Sequence, residues 1–100
     1  MEIKRGWATD FGKVRYDVLV EEVDLLRMLT ARGVEDPQAL CMTMRTADVA
    51  GIMDAEAMTF VHGSLAKQEP AQREKHEAKG AEYREERNRL LDKYAPKSAG

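Results

Sequence analysis

The uneven distribution of apolar residues most constrains how this chain can fold. Large apolar side chains are spread through residues 1–66, whereas the last third carries few of them among many charges. A chain of 100 residues supports one modest core, because a domain of this size buries about two thirds of its unfolded surface. We therefore expect a compact domain over residues 1–68, a charged helix over 69–95 and a disordered tail over 96–100.

Charge follows the same division. Residues 1–66 carry 7 Lys/Arg and 11 Asp/Glu, a net charge of −4, and residues 67–100 carry 9 and 7, a net charge of +2. A sequence pI of about 5.7 lacks the basic character of a general nucleic-acid binder, whose affinity comes mainly from neutralised phosphates. Nucleic acid is therefore possible but disfavoured as a partner.

Cysteine use and hydropathy indicate a compartment. Cys41 is the single cysteine, so the fold owes nothing to an internal disulfide. The first nine residues contain charges, and no apolar run approaches the length that spans a bilayer. We therefore expect a cytoplasmic protein with no membrane partner.

The N-terminal part of the chain alternates with period two. Apolar residues occupy every second position over residues 14–20, and Trp7 has the parity of Ile3 in the run before it. Gly12 follows Asp10 and Phe11 and favours a three-residue turn. This pattern predicts a β-hairpin with strands over residues 2–9 and 13–20. In a rival interpretation, a helix begins at Asp17 and replaces the second strand.

Helical patterns follow. Apolar spacing from Glu21 onward, with Gly33 as a stop, predicts a first helix. Asp36-Pro37 is a recognised helix start, although residues 38–45 also alternate as a strand would; we favour helix. Thr46 can cap a short helix, and Asp54 can cap a second one that continues to about residue 68.

Residues 70–94 contain no proline after the first position and include charge pairs at i,i+4, which predict a long helix. Its apolar residues lie near the end: Tyr83, Leu90, Leu91 and Tyr94. We expect residues 70–82 to form a polar shaft that partly projects from the domain. The four apolar residues near the end then form a docking patch that contacts the chain's own domain or a neighbouring copy. The predicted fold class is α+β and mostly helical: an N-terminal hairpin followed by three or four helices, the last long and charged.

Residues 47–61 resemble a helix-turn-helix. Val49, Ala50 and Met53 stand where the first helix of that motif packs, and Thr59 and Phe60 where the second does. The resemblance implies that the second helix enters the major groove of DNA. The residues that would then reach DNA are Thr59, His62 and Lys67.

Residues 12–19 are similar to a short signature of phage-encoded dATP/dGTP diphosphohydrolase-like proteins, in which such a basic segment precedes the catalytic helices. The resemblance implies a Mg²⁺-dependent nucleotide pyrophosphohydrolase. Magnesium in such a site would need acids spaced as Glu-x-x-Glu or Glu-x-x-Asp on facing helices. The acids at residues 21–24 and 54–56 do not have that spacing, so this enzyme is a remote alternative.

The sequence contains no catalytic or metal-binding constellation that we can assemble. His62 and His76 are fourteen residues apart and Cys41 stands alone, so zinc-ligand spacing is missing. A Cys41–His62 nucleophilic pair would need an orienting third group. We therefore expect no enzyme activity, no cofactor and no metal.

The preferred hypothesis is a small non-catalytic module that binds another protein or itself as a homo-oligomer. A phage or bacterial accessory or inhibitor protein is one form that such a module takes. The candidate partner-binding residues are aromatic or apolar and lie in the hairpin and the last helix: Trp7, Phe11, Tyr83, Leu90, Leu91 and Tyr94. Five methionines between Met28 and Met58 serve either an adaptable surface or the core, and we favour the core.

Overall fold

The computed structural model describes residues 4–11 and 14–96, with side chains from residue 20 onward. Within this part the protein is mostly helical, which confirms the helical character predicted from the sequence. The helices are α1 (Glu22–Ala31), α2 (Pro37–Thr43), α3 (Thr46–Gln68) and α4 (Arg73–Asp92), and a 3₁₀ turn (Pro70–Gln72) precedes α4. Residues 97–100 of the predicted disordered tail lie outside the described residues.

Two extended segments precede the helices. The backbones of β1 (Lys4–Phe11) and β2 (Val14–Glu21) pair antiparallel, with Lys4 opposite Glu21 and Phe11 opposite Val14. Asp10 and Phe11 therefore belong to β1, where the sequence predicted the start of a turn. Residue 12 and the side chains before residue 20 lie outside the described residues, so the packed hairpin and the α+β class remain predictions.

Local signals define the ends of α1. Asp24 accepts a hydrogen bond from the backbone N–H of Glu21 at 2.8 Å, which satisfies a donor at the start of the helix. At the other end Gly33 has a φ of 87°, and the N–H of Val34 donates to the carbonyl of Leu29 at 3.2 Å. This is the glycine-terminated helix end that the sequence predicted.

Residues 37–43 form a helix, as favoured over a strand. The carboxylate of Asp36 accepts a hydrogen bond from the N–H of Ala39 at 3.1 Å, and Pro37 occupies the first helical position. The side chains of Cys41 and Met44 are buried in the core. A side-chain cap and two buried residues therefore fix this short helix.

The predicted break at Asp54 is wrong, because α3 runs uninterrupted through it. The helix contacts both strands on the one hand and α4 on the other. Burial along so much of its surface outweighs the weak helix propensity of Gly51 and Asp54. The buried residues of α3 lie on both sides of the expected break: Val49, Ile52, Met53, Ala55, Ala57, Val61, His62, Leu65 and Ala66.

The expected projection of the last helix is also wrong, because α4 lies antiparallel along α3. Arg87 pairs with Glu56 at 2.6 Å, halfway along α3. The buried residues of α4 occur at both ends of the helix and include His76 and Gly80 in the segment predicted as a polar shaft. α4 thus belongs to the same packed body, and among the described residues no helix has the length and apolar character needed to cross a membrane.

The ends of α1, α3 and α4 meet. The buried guanidinium of Arg32 pairs with Asp92 and donates to the carbonyl of Ala95 at 3.0 Å. The hydroxyl of Tyr94 donates to Asp48 and accepts the N–H of Arg45 at 3.3 Å, so α4 helps to cap α3. The core beneath these contacts contains Leu25, Leu29, Ile52, Met53 and Leu91.

Gly51 offers a test of how closely α4 approaches α3. A Cβ at this position would lie 2.9 Å from Cδ1 of the buried Leu90, whereas a Cβ at Gly63 would meet nothing within 4 Å. We expect Gly51→Leu to reduce the free energy of unfolding by about 1–3 kcal/mol through overpacking. Gly63→Ala should instead raise it by about 0.5–1 kcal/mol through helix propensity alone.

Urea denaturation of both variants checks this prediction. Leucine is a strong helix former, so a loss of stability at residue 51 reports space and not propensity. A Gly51→Leu variant as stable as the native chain would contradict the close packing of α4 at this point.

Candidate functional site

The predicted partner-binding residues of the last helix have contacts within the protein. Leu90 and Leu91 are buried in the core, and Tyr94 is hydrogen-bonded to Asp48. Tyr83 stacks on the ring of His62 with the centroids 5.7 Å apart. These four side chains therefore dock α4 onto its own domain, one of the two roles expected for them. The side chains of Trp7 and Phe11 lie outside the described residues.

The residues of the DNA-binding alternative do not form one surface. His62 is buried and faces α4, and Thr59 donates its hydroxyl to the carbonyl of Ala55 at 2.8 Å. Lys67 is exposed in the last turn of α3. Because α3 is continuous, the turn that the helix-turn-helix resemblance requires is missing from this segment.

A cleft between the start of α1 and the helix α2 is the clearest candidate site among the described residues. Its volume is about 330 Å³, and Glu22, Gln38, Cys41 and Met42 line it. Glu22 is the first residue of α1, and the other three lie on α2. A glycine-terminated end and an aspartate cap fix the connection between these helices, which follows the end of α1 opposite to Glu22.

The walls differ in character. Gln38 and Glu22 supply polar atoms, and Met42 is 78% exposed, far more than Met28, Met44, Met53 and Met58. Met44 and Met53 are buried, which agrees with the core role favoured for methionine. Met42 is the exception to this core role. Its exposure could have been predicted from the sequence, because on a helix it lies opposite the apolar face of α2.

Cys41 is not an activated nucleophile. Its side chain is 4% exposed, and burial raises the pKa of the thiol, with the negative charge of Glu22 acting in the same direction. A reactive cysteine needs a lowered pKa, because the thiolate is the nucleophile. The Cys41–His62 pair considered from the sequence gains no support, since His62 contacts His76 and Tyr83 on α4.

Metal-dependent chemistry gains no support among the described side chains either. No group of three or more His, Cys, Asp or Glu residues in residues 20–96 is arranged to hold a metal ion. The segment that resembles the nucleotide-cleaving proteins, residues 12–19, lies outside the described side chains.

Met42 is one of three large apolar side chains that are exposed in the described part of the chain. The other two are Val23 on α1 and Phe60 on α3. Of these, Met42 combines exposure with a concave surface and a nearby carboxylate. Such a combination can receive an apolar side chain and a neighbouring positive charge.

No protein-family model matches the chain, and neither a curated protein nor a solved structure matches it. Its function is therefore inferred from its own side chains.

The thiol of Cys41 gives a direct test of this description of the cleft. We expect iodoacetamide at about pH 8 to alkylate the native protein at least about tenfold more slowly than glutathione, because the thiol is buried and weakly acidic. Mass spectrometry over time measures the rate. Protein unfolded in urea is the control and should react at the ordinary rate; equal rates for the two states would contradict the burial.

Proposed function

We propose that this protein is a non-catalytic module that binds a segment of another protein through the α1–α2 cleft. The segment carries an apolar side chain, which contacts Met42, next to a Lys or Arg, which pairs with Glu22. The single observation that supports the proposal is the highly exposed Met42 beside a carboxylate in a cleft of about 330 Å³.

Charge supports a basic partner. The carboxylate of Glu22 acts on the thiol of Cys41 inside the cleft, so its field reaches the apolar wall. Glu21 and Asp24 lie on either side of Glu22 in the chain. The positive Arg32 is already paired with Asp92. Attraction over about 8–10 Å at physiological salt therefore favours a positively charged segment.

Methionine supports an adaptable contact. Its unbranched thioether adjusts to different side chains, and methionine-rich surfaces bind varied partners. Such a contact fits an accessory or inhibitor role toward a larger protein. The helix-turn-helix alternative has no comparable support, because His62 faces the interior of the helix pair.

Self-association is the first point to test. The apolar residues expected to form a seam between copies, Leu90 and Leu91, are buried within the chain. We therefore expect light scattering to give the mass of one chain, 11.3 kDa, at micromolar concentration. A mass of two chains would mean that the exposed apolar residues serve contact between copies. That result would contradict the proposal that the partner is a different protein.

Binding itself can be tested with three sets of labelled twelve-residue peptides. One set combines Leu with Lys, one combines Leu with Glu, and one combines Ala with Lys. We expect the Leu/Lys peptides to bind at least about tenfold more tightly than the other two, since both an apolar contact and an ion pair are required. Fluorescence anisotropy measures the affinities. Equal binding of all three sets would contradict the proposal.

Matched variants locate the binding surface. Met42→Gln should lower the affinity for the Leu/Lys peptides by about tenfold, because it removes the apolar contact. Phe60→Gln makes the same kind of change on α3 and should leave binding unchanged. Glu22→Gln should lower both the affinity and its dependence on salt, whereas Glu35→Gln, which removes an exposed acid outside the cleft, should have little effect. Equal losses in a variant and its control would place binding elsewhere.

A further inference from the structure

Two buried histidines face each other across the α3–α4 interface. His62 is 6% exposed and His76 is 9% exposed, and their Nδ1 atoms lie 3.2 Å apart. They are the only two histidines of the sequence. The pair lies near the end of α3 and the start of α4, close to the 3₁₀ turn that joins the helices.

The geometry is that of a shared proton. The ring centroids are 5.4 Å apart while the two Nδ1 atoms are 3.2 Å apart, so each nitrogen points almost directly at the other. Lone pairs that bind a common metal ion converge on a point beside the line that joins the nitrogens. An in-line arrangement instead suits an N–H on one ring that donates to the lone pair of the other.

A first proton can be accommodated. If His76 donates from Nδ1, a proton added to its Nε2 faces the carboxylate of Glu69 at 3.5 Å and leaves the bond to His62 intact. A second proton, on Nδ1 of His62, removes the only acceptor of that bond. Two N–H groups and two positive charges then oppose each other in a buried space.

We propose that the His62–His76 pair is an acid-sensitive latch that holds the turn end of α3 and α4 together in its neutral and singly protonated forms and releases it when both rings are protonated.

The surroundings resist the second proton. Burial lowers the pKa of His62, and the positive charges of His76 and Lys79 lower it further. Two further titratable groups contact the pair: Glu69, at the end of α3, lies near His76, and the ring of Tyr83 stacks on His62. Lys79 opposes a proton on His62.

The sign of the pH effect follows. His62 in the unfolded chain binds a proton near a pKa of about 6.5, whereas the folded protein has a lower pKa at this ring. Between the two values the unfolded state binds more protons, so stability falls as the pH drops below about 6.5. The carboxyls of Asp48 and Glu86, whose pKa values are lowered mainly by hydrogen bonds from Tyr94 and Arg89, lose their contributions as the pH falls through and below the ordinary carboxyl range, which lies below the range of His62.

The shared proton can be observed in the native protein. We expect long-range ¹H–¹⁵N spectra at about pH 7.5 to show one ring protonated at Nδ1 and the other at Nε2, with His62 titrating below about pH 6.5. Two rings of the same tautomer that titrate together near that value would overturn the proposal.

Release of the latch can be located by hydrogen exchange. After correction for intrinsic rates, we expect peptides from residues 59–80 to exchange at least about tenfold faster at pH 5 than at pH 7.5, while peptides from residues 46–55 change little. A change of equal size in both regions would indicate global unfolding and would overturn a local latch.

His62→Asn supplies the matched variant. Its side-chain oxygen stands where Nδ1 of His62 does, so it can accept the hydrogen bond from His76 but cannot be protonated at either pH, and the acid-induced exchange should disappear. The His62→Ala variant lacks the acceptor, so we expect its amides in this region to exchange rapidly at both pH values. If either variant keeps the native pH dependence, the latch is not this pair; if the asparagine variant does not fold, the spectra of the native protein decide the proposal.

Discussion

The pairing of α3 with α4 is the contact on which the rest of the structure depends. α4 has few apolar side chains, so a continuous hydrophobic stripe does not hold it in place. It approaches α3 closely instead: a Cβ at Gly80 would lie 3.6 Å from Cβ of His62, and one at Gly51 would lie 2.9 Å from Leu90. Small residues at such crossings let dispersion contacts form between helices that could not otherwise come near.

Polar groups set the register of that pairing. Glu56–Arg87 holds the middle, Asp48 with Tyr94 holds one end, and the two histidines hold the other. Ion pairs that are partly exposed add little stability, but each one requires a particular alignment of the helices. The register also positions Asp92 for Arg32, which joins the end of α4 to the end of α1. The N-terminal helices are thereby fixed relative to the helix pair.

The candidate cleft is a consequence of how α2 is held. Cys41 and Met44 enter the core on one side of this short helix, so Met42 between them is directed outward. The same short helix provides Gln38 beside Glu22 of α1. An apolar exposed side chain is common on protein surfaces, but here it lies in a concavity with a carboxylate. The cleft and the histidine pair belong to different parts of the protein, so the binding proposal and the latch stand on separate observations.

The sequence by itself determined the elements whose ends are set by neighbours in the chain. Glu21 with Asp24, Asp36 with Pro37, and Gly33 in its left-handed conformation are local devices, and the helices they bound were predicted. Only the tertiary structure decided that α3 continues through Asp54 and that α4 lies along it, because the decisive contacts join residues far apart in sequence. A glycine at position 51 reads locally as a weak point of a helix, yet it is the place where Leu90 packs. His62 and His76 likewise gave no signal at fourteen residues' spacing, since antiparallel folding of the two helices is what brings their rings together.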